Sequence, residues 1–178
     1  MTEKQKVLYT GGSGDIGKMY ARLADRKYAL RLTYNSHPIE SDVHEVVQMD
    51  LTDLDSVRAA MRGMDAVVHM GANSSPGGSW ESILNNNLIG TYNVYEAARL
   101  EGVRRVVFGS SNWACAYHIA EHGTVGPDTP IRPSTFYGVS KCFGEALASH
   151  YYDTYGVSII CLRIGRTHDA SDDGPSAV

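Results

Sequence analysis

The feature that most constrains this chain is a short apolar run, Lys6 to Thr10, that stops at glycines and passes directly into a helix-spaced segment. Ile16, Met19, Tyr20 and Leu23 recur at the intervals of one helix face, so residues 6–27 read as strand, tight turn and helix. The same unit returns along the chain. Strands are predicted near 28–33, 45–49, 65–70, 103–109 and 157–163, and helices from the cap pair Thr52-Asp53, over about 80–100 and over about 137–155. Parallel strands need helical crossovers and are buried on both faces, so this rhythm predicts an α/β fold: a doubly wound parallel sheet in three α/β/α layers. The chain shows no internal repeat, low-complexity segment or linker.

With 178 residues, 43% of them hydrophobic, the sequence fits one soluble globular domain that buries roughly 70% of its unfolded surface without a disulfide or metal staple. A net charge of −4 with no basic stripe argues against a nucleic-acid partner. The longest apolar runs, such as Val157 to Leu162, fall far short of the roughly 20 residues that span a bilayer, so no membrane role is expected. The N-terminus has no apolar signal core, and the three cysteines (Cys115, Cys142, Cys161) form no CxxC pair; a reduced cytoplasmic setting is the expectation.

Between the first strand and the first helix stands Thr10-Gly11-Gly12-Ser13-Gly14-Asp15-Ile16-Gly17. Glycines there permit a tight turn and let backbone N–H groups approach a pyrophosphate, with the helix N-terminus facing the anion. The spacing is GxxGxxG, which an ordinary turn also satisfies; its place after the first strand favours dinucleotide binding. The second strand ends Arg31-Leu32-Thr33-Tyr34-Asn35-Ser36, without the acid that grips adenosine ribose hydroxyls and without an arginine for a 2′-phosphate, so cofactor preference stays open. Asp50-Leu51 ends the third strand, where the carboxylate either accepts from the adenine amino group or serves as a helix N-terminal acid.

Tyr137 and Lys141 are four residues apart and share a helix face. A phenol is a poor base at neutral pH unless a cation favours its phenolate, and Lys141 supplies one. Ser110-Ser111 ends the fifth strand, at the carboxyl edge where open α/β sheets gather their chemistry, and offers a hydroxyl to orient a substrate oxygen.

These residues resemble the extended short-chain dehydrogenase/reductases, the NAD-dependent epimerase/dehydratase family. The resemblance runs through TGGSGDIG at 10–17, Asp50-Leu51, His69 to Ala72, Asn87 to Thr91, Ser110-Ser111 and YGVSK at 137–141. Within that family NNNLIGTYNVYEAAR, VVFGSSN, YGVSKCFGEALA and LRIG are similar to the uronate dehydrogenases. The resemblance implies a Rossmann fold and an NAD cofactor, with NADP not excluded. It implies Tyr137 as general base, Lys141 as the residue that lowers its pKa and holds the nicotinamide ribose, and Ser111 as the orienting hydroxyl. Gly11, Gly14, Asp15, Ile16, Gly17, Asp50, Leu51, Gly71, Ala72, Asn87 and Ile164 are then the cofactor wall, and Ser74 and Asn112 contact substrate. The implied reaction is oxidation of a sugar at C1, an aldohexuronate giving its aldarolactone, in a cytoplasmic homodimer.

The sequence departs from that pattern at three points. Tyr34 replaces the ribose-binding aspartate, Trp113 a histidine, and Arg166 a serine; Arg166 either pairs a substrate anion or sits on the surface. Residues 1–166 read as the dinucleotide-binding and catalytic domain. The polar tail 167–178 reads as the start of a substrate-binding part that is missing, and is expected to be loose unless a ligand or partner orders it. Alternative functions are a nucleotide-sugar epimerase or dehydratase, a sugar-phosphate dehydrogenase, or a dinucleotide-binding protein without catalysis. Cys115, His118 and His122 have C-x2-H-x3-H spacing but no fourth ligand follows, so no metal is expected. Tyr92, Tyr95, Tyr151, Tyr152 and Tyr155 either pack on the sheet or form a dimer face.

Overall fold

The computed structural model describes residues 3–165, so Arg166 and the tail 167–178 lie outside the described residues. Six strands form one sheet: β1 (Gln5–Thr10), β2 (Tyr28–Tyr34), β3 (Glu45–Gln48), β4 (Ala66–His69), β5 (Arg105–Ser111) and β6 (Ser158–Ile164). All neighbours are parallel, in the order β3-β2-β1-β4-β5-β6. The order reverses between β1 and β4, and this switch point opens a crevice at the carboxyl ends of the strands. The doubly wound sheet read from the sequence is therefore the observed one.

Alternation along each strand divides the core in two. Leu8, Val67, Val106 and Phe108 point to the face covered by α2 (Leu54–Met61), α4 (Gly90–Leu100) and α6 (Phe136–Tyr155). Val7, Tyr9, Leu30, Leu32 and Val68 point to the opposite face, against Tyr20 and Ala21 of α1 (Asp15–Ala24). The helix ends follow local chemistry. Asp53 caps α2 by accepting from the N–H groups of Asp55 and Ser56. Thr135 caps α6 through Gly138 N at 3.0 Å, and left-handed Gly156 ends it.

Two details differ from the sequence expectation. The helix over 80–100 is built from α3 (Trp80–Ile83), a π-helical segment (Leu84–Ile89) and α4. The widened turn carries Asn87, whose side-chain bonds to neighbouring elements offset the poorer helical geometry. A 3-10 turn (Asn112–Cys115) and a short α5 (Ala116–His122) follow β5 where no helix was expected; none of the α5 residues is fully buried, so its apolar period is weak. The tyrosines split between the two readings. Tyr95 and Tyr151 meet edge-on at 5.7 Å in the core, whereas Tyr92, Tyr152 and Tyr155 are exposed on α4 and α6. Among the described residues no helix is long and apolar enough to cross a membrane, and all three cysteines are free.

Candidate active site

The glycine loop is shaped by close backbone approach. Gly11 has a φ of +78°, and a Cβ there would lie 2.9 Å from the Gly71 backbone, so the loops after β1 and β4 touch at a point where only glycine fits. A Cβ on Gly17 would lie 2.7 Å from the carbonyl oxygens of Gly11 and Gly12, which lets α1 begin directly beneath the loop. Gly14, the residue before α1, provides no side-chain cap, so the first-turn N–H groups face the crevice with the positive end of the helix dipole. A Cβ-free cradle and an uncapped helix start fit a pyrophosphate.

Two cavities adjoin at this point. One, of about 410 Å³, is lined by Gly11, Ser13, Gly14, Asp15, Ile16 and Gly17 on one side and by Gly71, Ala72, Ser74, Ser111, Tyr137, Lys141 and Ile164 on the other. The second, of about 610 Å³, shares Gly11, Ser13, Gly71 and Ala72, and extends past Leu51 to the end of β2, where Tyr34, Asn35, Ser36 and His37 form its wall. Through these shared residues they join as one trough across the switch point, without a carboxylate among the residues lining its β2 end.

At the far side Lys141 is buried at 5% exposure, its Nζ 5.3 Å from the Tyr137 ring centroid and 5.0 Å from that of Phe108. Burial lowers its pKa to about 8, so the ammonium is held where its charge is costly. Burial raises the Tyr137 phenol above its ordinary value, and a hydrogen bond with Ser111 pulls it part of the way back. The Ser111 hydroxyl accepts from Trp113 N at 3.3 Å and can donate to Asn112 Oδ1 at 3.2 Å. Its neighbour Ser110 is already engaged, donating to Glu145 Oε1 at 2.6 Å. Burial pushes the Glu145 carboxyl up, but two bonds from Arg163, at 2.8 and 2.9 Å, and the Ser110 bond outweigh it and hold the group below the usual carboxylate range.

Behind the cleft, two buried networks hold its walls. Asn87 accepts from Asn73 N at 2.8 Å and donates to Asn73 O and Ser140 Oγ, each at 3.0 Å; Ser140 in turn donates to the Tyr137 carbonyl at 2.7 Å. Thr10 Oγ1 accepts from Gly71 N at 2.9 Å and shares a hydrogen bond with His69 Nδ1 at 2.8 Å, while His69 Nε2 shares another with Thr91 Oγ1 at 3.3 Å. Next to Tyr137, Phe136 meets Trp80 of α3 with ring centroids 5.3 Å apart, both half exposed.

Most of the residues singled out in the sequence thus surround one trough. Three do not line it. Asp50 is exposed and its Oδ1 accepts from the Thr52 backbone N–H and hydroxyl, both at 2.8 Å, in the turn before α2, whose cap is Asp53. Asn87 is buried as a clamp, and Asn112 borders a separate cavity of about 640 Å³ beside β6 and α6. Arg166 lies outside the described residues. Ser13 and His37 line the trough without having been singled out. Ser13 could have been found from its place inside the glycine loop, whereas His37 carries no pattern.

Residues 7–168 match the NAD dependent epimerase/dehydratase family. The chain is 44% identical over 163 residues to a uronate dehydrogenase of Agrobacterium fabrum, covering 90% of this chain and 61% of that protein. It is 37% identical over 174 residues to an L-arabinose 1-dehydrogenase (NAD(P)(+)) of Haloferax volcanii, covering 90% and 66%. Among solved structures it is similar to a mutant uronate dehydrogenase of Agrobacterium tumefaciens complexed with NAD, with 41% identity and a TM-score of 0.80 over 88% of this chain and 59% of that one. The chain spans about three fifths of the length of the uronate dehydrogenases it matches. A shared sheet order, a glycine cradle at its switch point and a match along nearly the whole sequence converge: this chain belongs to the NAD dependent epimerase/dehydratase family.

Proposed function

We propose that this chain is the dinucleotide-binding and catalytic part of an NAD(P)-dependent dehydrogenase that oxidises a sugar at C1, an aldohexuronate to its aldarolactone. The observation that carries this reading is the meeting of Ser111, Tyr137 and Lys141 with the glycine loop around one cavity. The relatives' names supply the substrate class.

Gly11, Gly14, Asp15, Ile16 and Gly17 would hold the pyrophosphate, with Gly71, Ala72 and Ile164 walling the nicotinamide side and Leu51 the adenosine side. When bound, the nicotinamide accepts the hydride released from C1. Ser111 holds the C1 hydroxyl, and Tyr137 as phenolate takes its proton. Lys141 favours that phenolate by its charge and donates to the ribose. Ser74 lines the same cavity and is placed to touch the sugar, while Asn112 acts on it through Ser111. The absence of a carboxylate among the residues lining the β2 end supports acceptance of NADP beside NAD. Free, mostly buried cysteines fit a cytoplasmic setting, and exposed Tyr92, Tyr152 and Tyr155 support a homodimer through α4 and α6; Tyr152→Glu should leave a monomer in analytical ultracentrifugation.

The testing experiment is formation of reduced nicotinamide with galacturonate and glucuronate, given NAD or NADP in parallel, with Tyr137→Phe as control. Turnover that the control abolishes, with cofactor affinity retained, is the expected result. Turnover that survives in Tyr137→Phe overturns the mechanism, and cofactor binding without turnover on either acid overturns the substrate assignment.

A further inference from the structure

Away from the trough, one group of side chains carries ligand chemistry that the proposed reaction does not use. His118, Glu121 and His122 share α5, and their ligand atoms all lie within 4.8 Å of one another. Side chains four residues apart leave a helix on the same side. The two imidazole rings accordingly stand nearly parallel, with centroids 6.2 Å apart and 16° between planes. Glu121 Oε2 lies 3.9 Å from His122 Nε2 and accepts from Arg132 Nη1 at 2.6 Å. That bond holds the Glu121 carboxyl below the usual carboxylate range, and it engages one of two oxygens. Cys115, which its spacing groups with the histidines, is not part of the cluster: it is buried and its Sγ donates to the Asn112 carbonyl at 3.3 Å.

We propose that His118, Glu121 and His122 form a binding site for one divalent ion of the zinc class, with water completing the coordination. Two imidazole nitrogens and a carboxylate oxygen suit zinc and its transition-metal neighbours. Magnesium and calcium take oxygen ligands and are poorly served by this set. Zinc–nitrogen bonds of about 2.0–2.1 Å require the ligand atoms to close by an ångström or so, which side-chain rotation on one exposed helical turn supplies. The nearby Arg132 guanidinium opposes the ion and keeps its affinity moderate.

The site has a mechanical role in this fold. Helix α5 is seven residues long and none of its residues is fully buried, so little packing stabilises it. It is held by Arg132, whose N–H donates to Ala114 O at 2.8 Å, whose carbonyl accepts from Tyr117 N at 3.2 Å, and whose guanidinium lies 5.4 Å from the Tyr117 ring centroid. An ion spanning positions 118 and 122 fastens that turn, and with it the stretch that runs between Ser111 and Tyr137 in sequence.

Calorimetric titration of the untagged full chain with zinc chloride, and separately with magnesium chloride, tests the site. One zinc per chain and no saturable magnesium binding are expected. His118→Ala and His122→Ala should each weaken zinc by more than about tenfold, a loss that removal of an outer-shell partner alone can reach. The cobalt-loaded protein should show tetrahedral ligand-field bands without a thiolate charge-transfer band. No saturable zinc uptake, unchanged affinity in both histidine variants, or a thiolate band would each overturn the proposal. Both histidines are solvent-accessible and circular dichroism verifies that the variants fold, so a loss of binding reads on the site itself.

Discussion

At the end of β5 two serines stand side by side, and a residue far along the chain engages one of them. Glu145, on α6, accepts a hydrogen bond from Ser110 and leaves Ser111 as the hydroxyl that meets Tyr137. Sequence placed the pair at the carboxyl end of a strand, and the choice of Ser111 came only with the family resemblance. No local spacing reveals a bond that spans 35 positions. Tyr34 has the reverse character, because its importance is local: it ends β2 where a carboxylate would select the ribose hydroxyls. Tyr34→Asp is expected to favour NAD over NADP by about tenfold or more, the worth of one hydrogen bond to a charged group. Fluorescence titrations with both cofactors measure this, and an unchanged ratio would remove Tyr34 from the specificity pocket.

At the scale of elements, the loop between β1 and α1 separates two kinds of glycine. A Cβ on Gly14 would meet only Gly11 O, at 3.4 Å, an ordinary contact, whereas one on Gly17 would strike loop backbone at 2.7 Å. Gly14→Ala should therefore keep its melting temperature and lose dinucleotide affinity, while Gly17→Ala should lose about 1–3 kcal/mol of stability through forced backbone movement. Thermal melts with and without cofactor distinguish them. Strands were legible because each is an apolar run bounded by breakers, and α2 because Thr52-Asp53 announces a cap. The π-helical turn was not, since one extra residue in a turn barely shifts an apolar pattern; its cause is the set of bonds from Asn87 to Asn73 and Ser140, which are tertiary.

The whole molecule's response to acid follows from what the sheet buries. His69 is fully enclosed between Thr10 and Thr91, and burial, with a smaller contribution from the Lys141 charge, lowers its pKa to about 3. The unfolded chain binds that proton from about pH 6.5 downward, so the stabilisation is complete above 6.5 and is lost as pH falls towards 3, by up to about 1.4 kcal/mol per pH unit. Urea midpoints at pH 7 and pH 4 should fall less in His69→Gln than in the wild type, and equal falls would assign the acid sensitivity to other groups. Lys141 acts at the opposite end. Its depressed pKa makes stability rise between about pH 8 and its unfolded value. The chain has two tryptophans, and both stand near the proposed catalytic residues: Trp80 packs on Phe136, which precedes Tyr137, and Trp113 donates its backbone N–H to Ser111. Indole emission overlaps the absorption of reduced nicotinamide, so the fold carries a pair of lamps beside its cleft whose dimming through energy transfer would report occupancy without any added dye.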